Sequence, residues 1–118
     1  MKNLLLLSVS LLALLQTPLA HAHAVATEYS LKNVPIQANR ADKVELTFNS
    51  KIELGLSQVF LVRKGDIHEL LTIRKGSKQG QMIVDIPALT PGDYALKFKV
   101  FAADGHLTED VIYFVVAP

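Results

Sequence analysis

Apolar and polar residues alternate along most of the chain after its first twenty-odd positions. In Lys43-Val44-Glu45-Leu46-Thr47-Phe48 every second residue is apolar, which predicts a strand with Val44, Leu46 and Phe48 on one face. The same period recurs from Asp93 to Phe101, placing Tyr94, Leu96, Phe98 and Val100 inward and Lys97 and Lys99 outward. Five further segments read as strands: Val25 to Ser30, Ser57 to Arg63, Ile67 to Ile73, Gln81 to Ile86 and Asp110 to Val116. The last is apolar enough to be expected buried on both faces. No segment carries a helical period.

Turn chemistry separates these segments. Lys64-Gly65-Asp66 marks a tight turn, Lys75 to Gly80 a polar break, and Pro87 closes the fifth strand. Asn33 to Ala41 is the longest irregular piece and is read as the crossing from the first strand to the second. Seven short strands at this spacing predict an all-β fold, a Greek-key sandwich or barrel of immunoglobulin-like type. Leu89-Thr90-Pro91-Gly92-Asp93-Tyr94 sharpens this, because a tyrosine opening the sixth strand after a Pro-Gly turn is similar to a tyrosine corner. The alternative is a half-buried tyrosine without a special bond.

The start of the chain follows a different pattern. Met1-Lys2 is followed by the apolar run Leu4 to Leu15, too short to span a bilayer, which needs about 20 residues. Pro18 and the small-x-small tripeptide Ala20-His21-Ala22 come next, so residues 1–22 read as a cleaved signal peptide rather than an uncleaved anchor. Cleavage after Ala22 makes His23 the mature N-terminus, and cleavage after Ala20 makes it His21. Residues 23–118 then form one domain.

Lys2 is one of 12 basic residues, and without it the rest balance the 11 acidic ones. Phosphate binding needs a basic face, and a net charge of zero argues against one, so nucleic acid is not expected as a partner. The absence of cysteine excludes disulfides, thiolate metal sites and cysteine nucleophiles. No serine lies in a nucleophile elbow, and no glycine-rich phosphate loop is present.

The remaining chemistry gathers at Asp104-Gly105-His106, between the sixth and seventh strands. Taken alone, these residues read as a turn. Strand parity changes this: with seven alternating strands, the start of the first and the connection after the sixth lie at one end of the sandwich. An N-terminal histidine would supply its α-amine and ring nitrogen, His106 a second imidazole, and Asp104 a carboxylate oxygen. Three nitrogens and one oxygen suit Cu(II), which also heads the divalent affinity order. The candidate metal ligands are therefore His23, Asp104 and His106, with His21 in place of His23 if cleavage follows Ala20. In that case His21-Ala22-His23 could also bind Cu(II) through its amine, two backbone amides and the imidazole at the third position.

These residues resemble the CopC family of periplasmic copper-binding proteins. The resemblance rests on the His-Ala start after a signal peptide, on Val44-Glu45-Leu46-Thr47-Phe48-Asn49, on Leu89-x-x-Gly92-x-Tyr94, and above all on Lys97 to His106. It implies one Cu(II) per mature chain, periplasmic copper homeostasis or resistance, and an inner-membrane copper transporter (CopD-like) as partner; a monomer without enzymatic activity is expected. Many members have tryptophan where Phe98 stands, and Leu31 to Arg40 replaces the usual Pro-Ala-Asp-Gly stretch. With Met82 the one methionine beyond the initiator, no Cu(I) site is expected. Met82 reads as core and His68 as an exposed bystander at the opposite end. Two alternatives of other classes are a histidine-brace copper monooxygenase and a metal-free immunoglobulin-like interaction module. Asp104 stands against the first by occupying a position oxygen would need, and fold alone does not exclude the second.

Overall fold

The computed structural model describes residues 24–118. Their strands are β1 (Ala26–Tyr29), β2 (Asp42–Phe48), β3 (Gln58–Arg63), β4 (Ile67–Leu70), β5 (Ile73–Lys75), β6 (Gln81–Ile86), β7 (Gly92–Phe101) and β8 (Leu107–Val116). They form two four-stranded antiparallel sheets, ordered β1-β2-β6-β5 and β4-β3-β7-β8. The pairing of β2 with β6 and of β3 with β7 joins strands distant in sequence. This is the Greek-key arrangement of an immunoglobulin-like sandwich. Two single-turn 3₁₀ segments, Ser30–Lys32 and Leu54–Leu56, occupy connections.

The described residues form eight strands, not seven, because the segment expected from Ile67 to Ile73 is divided. Its first half pairs with β3 and its second half, β5, with β6. Between them Leu71 turns into the core, and its N–H still donates to the Val59 carbonyl at 2.9 Å. Thr72 then accepts from Asp85 N–H across the other sheet, also at 2.9 Å. The divided strand changes sheets without reversing direction, so parity of the strand ends is preserved.

Alternation along the strands becomes the core. Val44, Leu46 and Phe48 of β2 face Leu96, Phe98 and Val100 of β7 within one buried cluster, which also takes Met82, Val84 and Ile86 of β6. Phe48 and Phe98 meet edge to face, with centroids 5.8 Å apart and planes at 80°, a favoured aromatic geometry. Met82 is core as expected.

The seventh expected strand is corrected in two respects. It begins earlier, at Leu107, and it is not buried on both faces. Ile112, Phe114 and Val116 point inward, whereas Val111, Tyr113 and Val115 lie on the outer face, Tyr113 with 81% of its surface exposed. The other sheet packs against the inner face alone, which leaves these three outer residues largely open to solvent.

The tyrosine corner is present. Tyr94 donates its phenolic O–H to the Thr90 carbonyl at 2.7 Å, and its ring stacks on Phe114 with centroids 5.7 Å apart. At the end of the sandwich where β7 begins, Gly65 and Asp66 adopt positive φ angles of 85° and 58° in the β3–β4 turn. His68 follows that turn and bonds to Asp66 Oδ1 at 2.6 Å, far from the β7–β8 connection.

Candidate metal centre

The connection from β7 to β8 is a short closed loop. Ala102 N–H donates to the His106 carbonyl and Gly105 N–H to the Ala102 carbonyl, both at 2.9 Å. Gly105 takes φ of 90°, a conformation open to glycine at little cost, although a side chain there would meet no atom within 4 Å. The turn therefore needs glycine for its backbone and not for space.

This fold of the loop brings Asp104 and His106 onto each other. Asp104 Oδ1 accepts from the His106 N–H at 3.1 Å, and Oδ2 lies 2.9 Å from His106 Nδ1. Both side chains keep contact with solvent, His106 more than Asp104. The turn reading of these residues is correct as far as it goes. The same turn also holds one carboxylate oxygen and one imidazole nitrogen side by side.

Beneath the loop lies a support that sequence reasoning missed. Phe101, the last residue of β7, is bonded on both sides to residues 53–57. Its carbonyl accepts from Glu53 N–H at 2.8 Å, and its N–H donates to Ser57 Oγ at 3.1 Å. Ser57, only 6% exposed, donates a hydrogen bond from its own hydroxyl to the Glu53 carbonyl at 2.8 Å. Ala102 bridges to Ile52, and Ala103 N–H donates to the Lys51 carbonyl at 3.0 Å. Three successive residues before Asp104 are thus pinned to one segment. A serine following a short apolar stretch carries no sequence signal for such a role.

The same segment holds the beginning of the domain. Asn49 N–H donates to the Val25 carbonyl at 3.0 Å, and Val25 N–H donates to Asn49 Oδ1 at 2.8 Å. Ala24, with none of its surface exposed, joins the core cluster that also includes Ala102. Residues 49–51 therefore connect Val25 on one side with Ala103 on the other. The expectation that the start of β1 and the β7–β8 connection share one end of the sandwich is met for these residues. His21 and His23 lie outside the described residues. Among the described residues no group of three histidine, aspartate or glutamate side chains is placed to hold a metal.

Chemically, the pair offers a mixed nitrogen–oxygen edge. Adjacent ligands of a square-planar ion with bonds of about 2.0 Å lie about 2.8 Å apart, close to the separation of Nδ1 and Oδ2.

Comparison with known proteins identifies the family and the fold. The CopC domain family matches residues 27–117. Among solved structures, CopC from Methylosinus trichosporium OB3b is 25% identical, with a TM-score of 0.68 over 81% of this chain and 95% of that one. PcoC, a copper resistance protein from Escherichia coli, is 18% identical and shares the fold, with a TM-score of 0.60 over 78% of this chain and 98% of its own. No curated protein matches the chain. Since the family match extends from within β1 to the residue after β8, this chain belongs to the CopC family.

Proposed function

We propose that this protein is exported to the periplasm, loses residues 1–22, and binds one Cu(II) per chain, which it sequesters or delivers. The ligands are the α-amine and ring nitrogen of His23, the Asp104 carboxylate and the His106 imidazole, with His21 replacing His23 if cleavage follows Ala20. The observation that carries this reading is the Asp104–His106 pair at the end of the sandwich where Val25 is clamped to Asn49. A residue two positions before Val25 is within about 8 Å of it along the chain, so the clamp limits where an N-terminal histidine can go. Family membership and the likeness to a copper resistance protein support the choice of metal.

Three nitrogens and one oxygen favour Cu(II) over zinc. Met82 is sealed in the core and offers no thioether to Cu(I). The partner is a protein that gives or receives the ion, a CopD-like membrane transporter by family analogy.

The test uses protein purified after export, with its N-terminus read by mass spectrometry. Cu(II) titration followed by electron paramagnetic resonance should show one tight, nitrogen-rich site. His106→Ala, and separately one extra residue placed before the mature N-terminus, should each weaken binding by more than about tenfold. Affinity unchanged by both alterations would rule the site out.

A further inference from the structure

Beside the β7–β8 loop, at the same end of the sandwich, is a groove of about 510 Å³. Its walls carry Lys51, Lys75 and Lys78, with Ser77 between the last two, and Ile52 and Leu54 contribute half-buried apolar surface. No acidic residue lines it, and none of the three lysines has an ion pair among the described residues. In a domain whose charges balance overall, this is a local excess of positive charge.

The groove is rigid on one side. Gly80 has φ of 78° and packs so closely that a Cβ would lie 2.8 Å from the Ser50 carbonyl oxygen. Gly76 N–H donates to the Gln81 carbonyl, and Ser77 bonds to Gln81 Oε1 through both its N–H and its hydroxyl. Phe48 N–H donates to the Gly80 carbonyl at 2.8 Å. The loop bearing Ser77 and Lys78 is thereby held against the end of β2 before any partner arrives, which lowers the ordering cost of binding.

We infer that this groove docks an acidic segment of a partner protein, with carboxylates meeting the three lysines and an apolar side chain resting on Ile52 and Leu54. The volume suits several side chains rather than one small anion, and the apolar surface favours a peptide over a purely ionic ligand. Lys51 links the groove to the metal loop, because its carbonyl accepts the Ala103 N–H while its side chain lines the groove. A segment docked here would bring its protein beside Asp104 and His106. That the partner gives or receives copper rests on the proposed function above, whereas the docking does not.

The experiment measures fluorescence anisotropy of a labelled glutamate-rich peptide with two interspersed leucines, titrated at low ionic strength with the metal-free exported protein. Saturable binding is expected, weakened at least about tenfold in the K51E/K75E/K78E variant and by added salt. K97E/K99E, which reverses charge on the outer face of β7, should leave affinity within about twofold. If the triple reversal fails to fold by circular dichroism, the triple glutamine variant replaces it with the same expectation. Absence of saturable binding overturns the inference, as does equal loss in both charge-reversed proteins. Binding to vesicles containing phosphatidylglycerol without binding to the peptide also overturns it, in favour of a membrane surface. Cu(II) uptake is measured separately: peptide binding without copper uptake leaves docking standing and removes the copper reading, and copper uptake without peptide binding does the reverse.

Discussion

Val25 and Asn49 bond to each other twice, the Asn49 N–H to the Val25 carbonyl at 3.0 Å and the Val25 N–H to Asn49 Oδ1 at 2.8 Å. The second bond comes from a side chain and extends the pairing of β1 with β2 beyond the end of the ladder. It secures the chain just where the described domain begins, two residues from Lys51, whose carbonyl pins Ala103.

Removing that side chain should separate holding the fold from holding the metal. Asn49→Ala is expected to keep the circular dichroism of the wild type, because the core is untouched, while Cu(II) affinity falls roughly tenfold as the N-terminal segment loosens. Asn49→Asp retains an acceptor for the Val25 N–H and should keep most of the affinity. Copper titration of the two variants beside the wild type checks this, and equal affinity in all three would show that the clamp has no bearing on the metal.

Ser57 is expected to matter for stability more than its size suggests. In Ser57→Ala the Phe101 N–H loses its acceptor and the Glu53 carbonyl loses a donor, a cost of about 1–3 kcal/mol. Thermal unfolding should show the loss, and amide hydrogen exchange should place faster opening at Phe101 to Ala103. An unchanged midpoint would mean that water replaces the hydroxyl.

Tyr94→Phe tests the corner with the ring retained. Stacking on Phe114 survives, while the bond to the Thr90 carbonyl and the longer 3.3 Å contact with Thr90 Oγ1 are lost, so about 1 kcal/mol is expected, or a midpoint lowered by about 4–8 °C for a domain of this size. Because the principal acceptor is backbone, Thr90→Ala should have a much smaller effect.

Asp85 supplies a pH-dependent contribution. Arg74 meets its carboxylate through Nε at 3.0 Å and a terminal nitrogen at 2.7 Å. Hydrogen bonding to that guanidinium is the main cause holding the Asp85 carboxyl below its usual range, against a smaller opposing effect of burial; the charges of Arg74 and Lys43 add to the lowering. A carboxyl lowered in the native state stabilises it above the unfolded pKa, and the contribution disappears as pH falls through the native value. The midpoint difference between wild type and Asp85→Asn should therefore be level from about pH 7 to 5 and shrink below about pH 4. The pair is exposed, so the difference should be small and reduced by salt. A difference that grew towards low pH would contradict the assignment.

Much of the fold was legible because burial on one side of a strand writes itself into alternate residues. Val44, Leu46 and Phe48, and likewise Leu96, Phe98 and Val100, occupy the faces their spacing assigns. Leu107 to Val116 shows the limit of that reading. Its outer-face apolar residues Val111, Tyr113 and Val115 suggested burial that this edge strand does not provide within the domain. The division between β4 and β5 was hidden for a related reason. Ile67 to Ile73 has uninterrupted strand composition, and only the second sheet beside it draws Leu71 inward and passes the chain across.

By itself the sequence determined the strand periodicity, the glycine turn, a tyrosine placed to form a corner, and a histidine and an aspartate two residues apart in a loop. These are local properties, set by side-chain pattern and backbone preference within a few residues. The folded loop set Asp104 and His106 against each other at 2.9 Å, and the tertiary structure alone decided that one segment ties this loop to Val25. That second decision depends on Asn49, Lys51, Glu53 and Ser57, whose bonds reach residues 24 to 52 positions away in the chain. No local pattern records such a bond, because its partners meet only after the two sheets have packed.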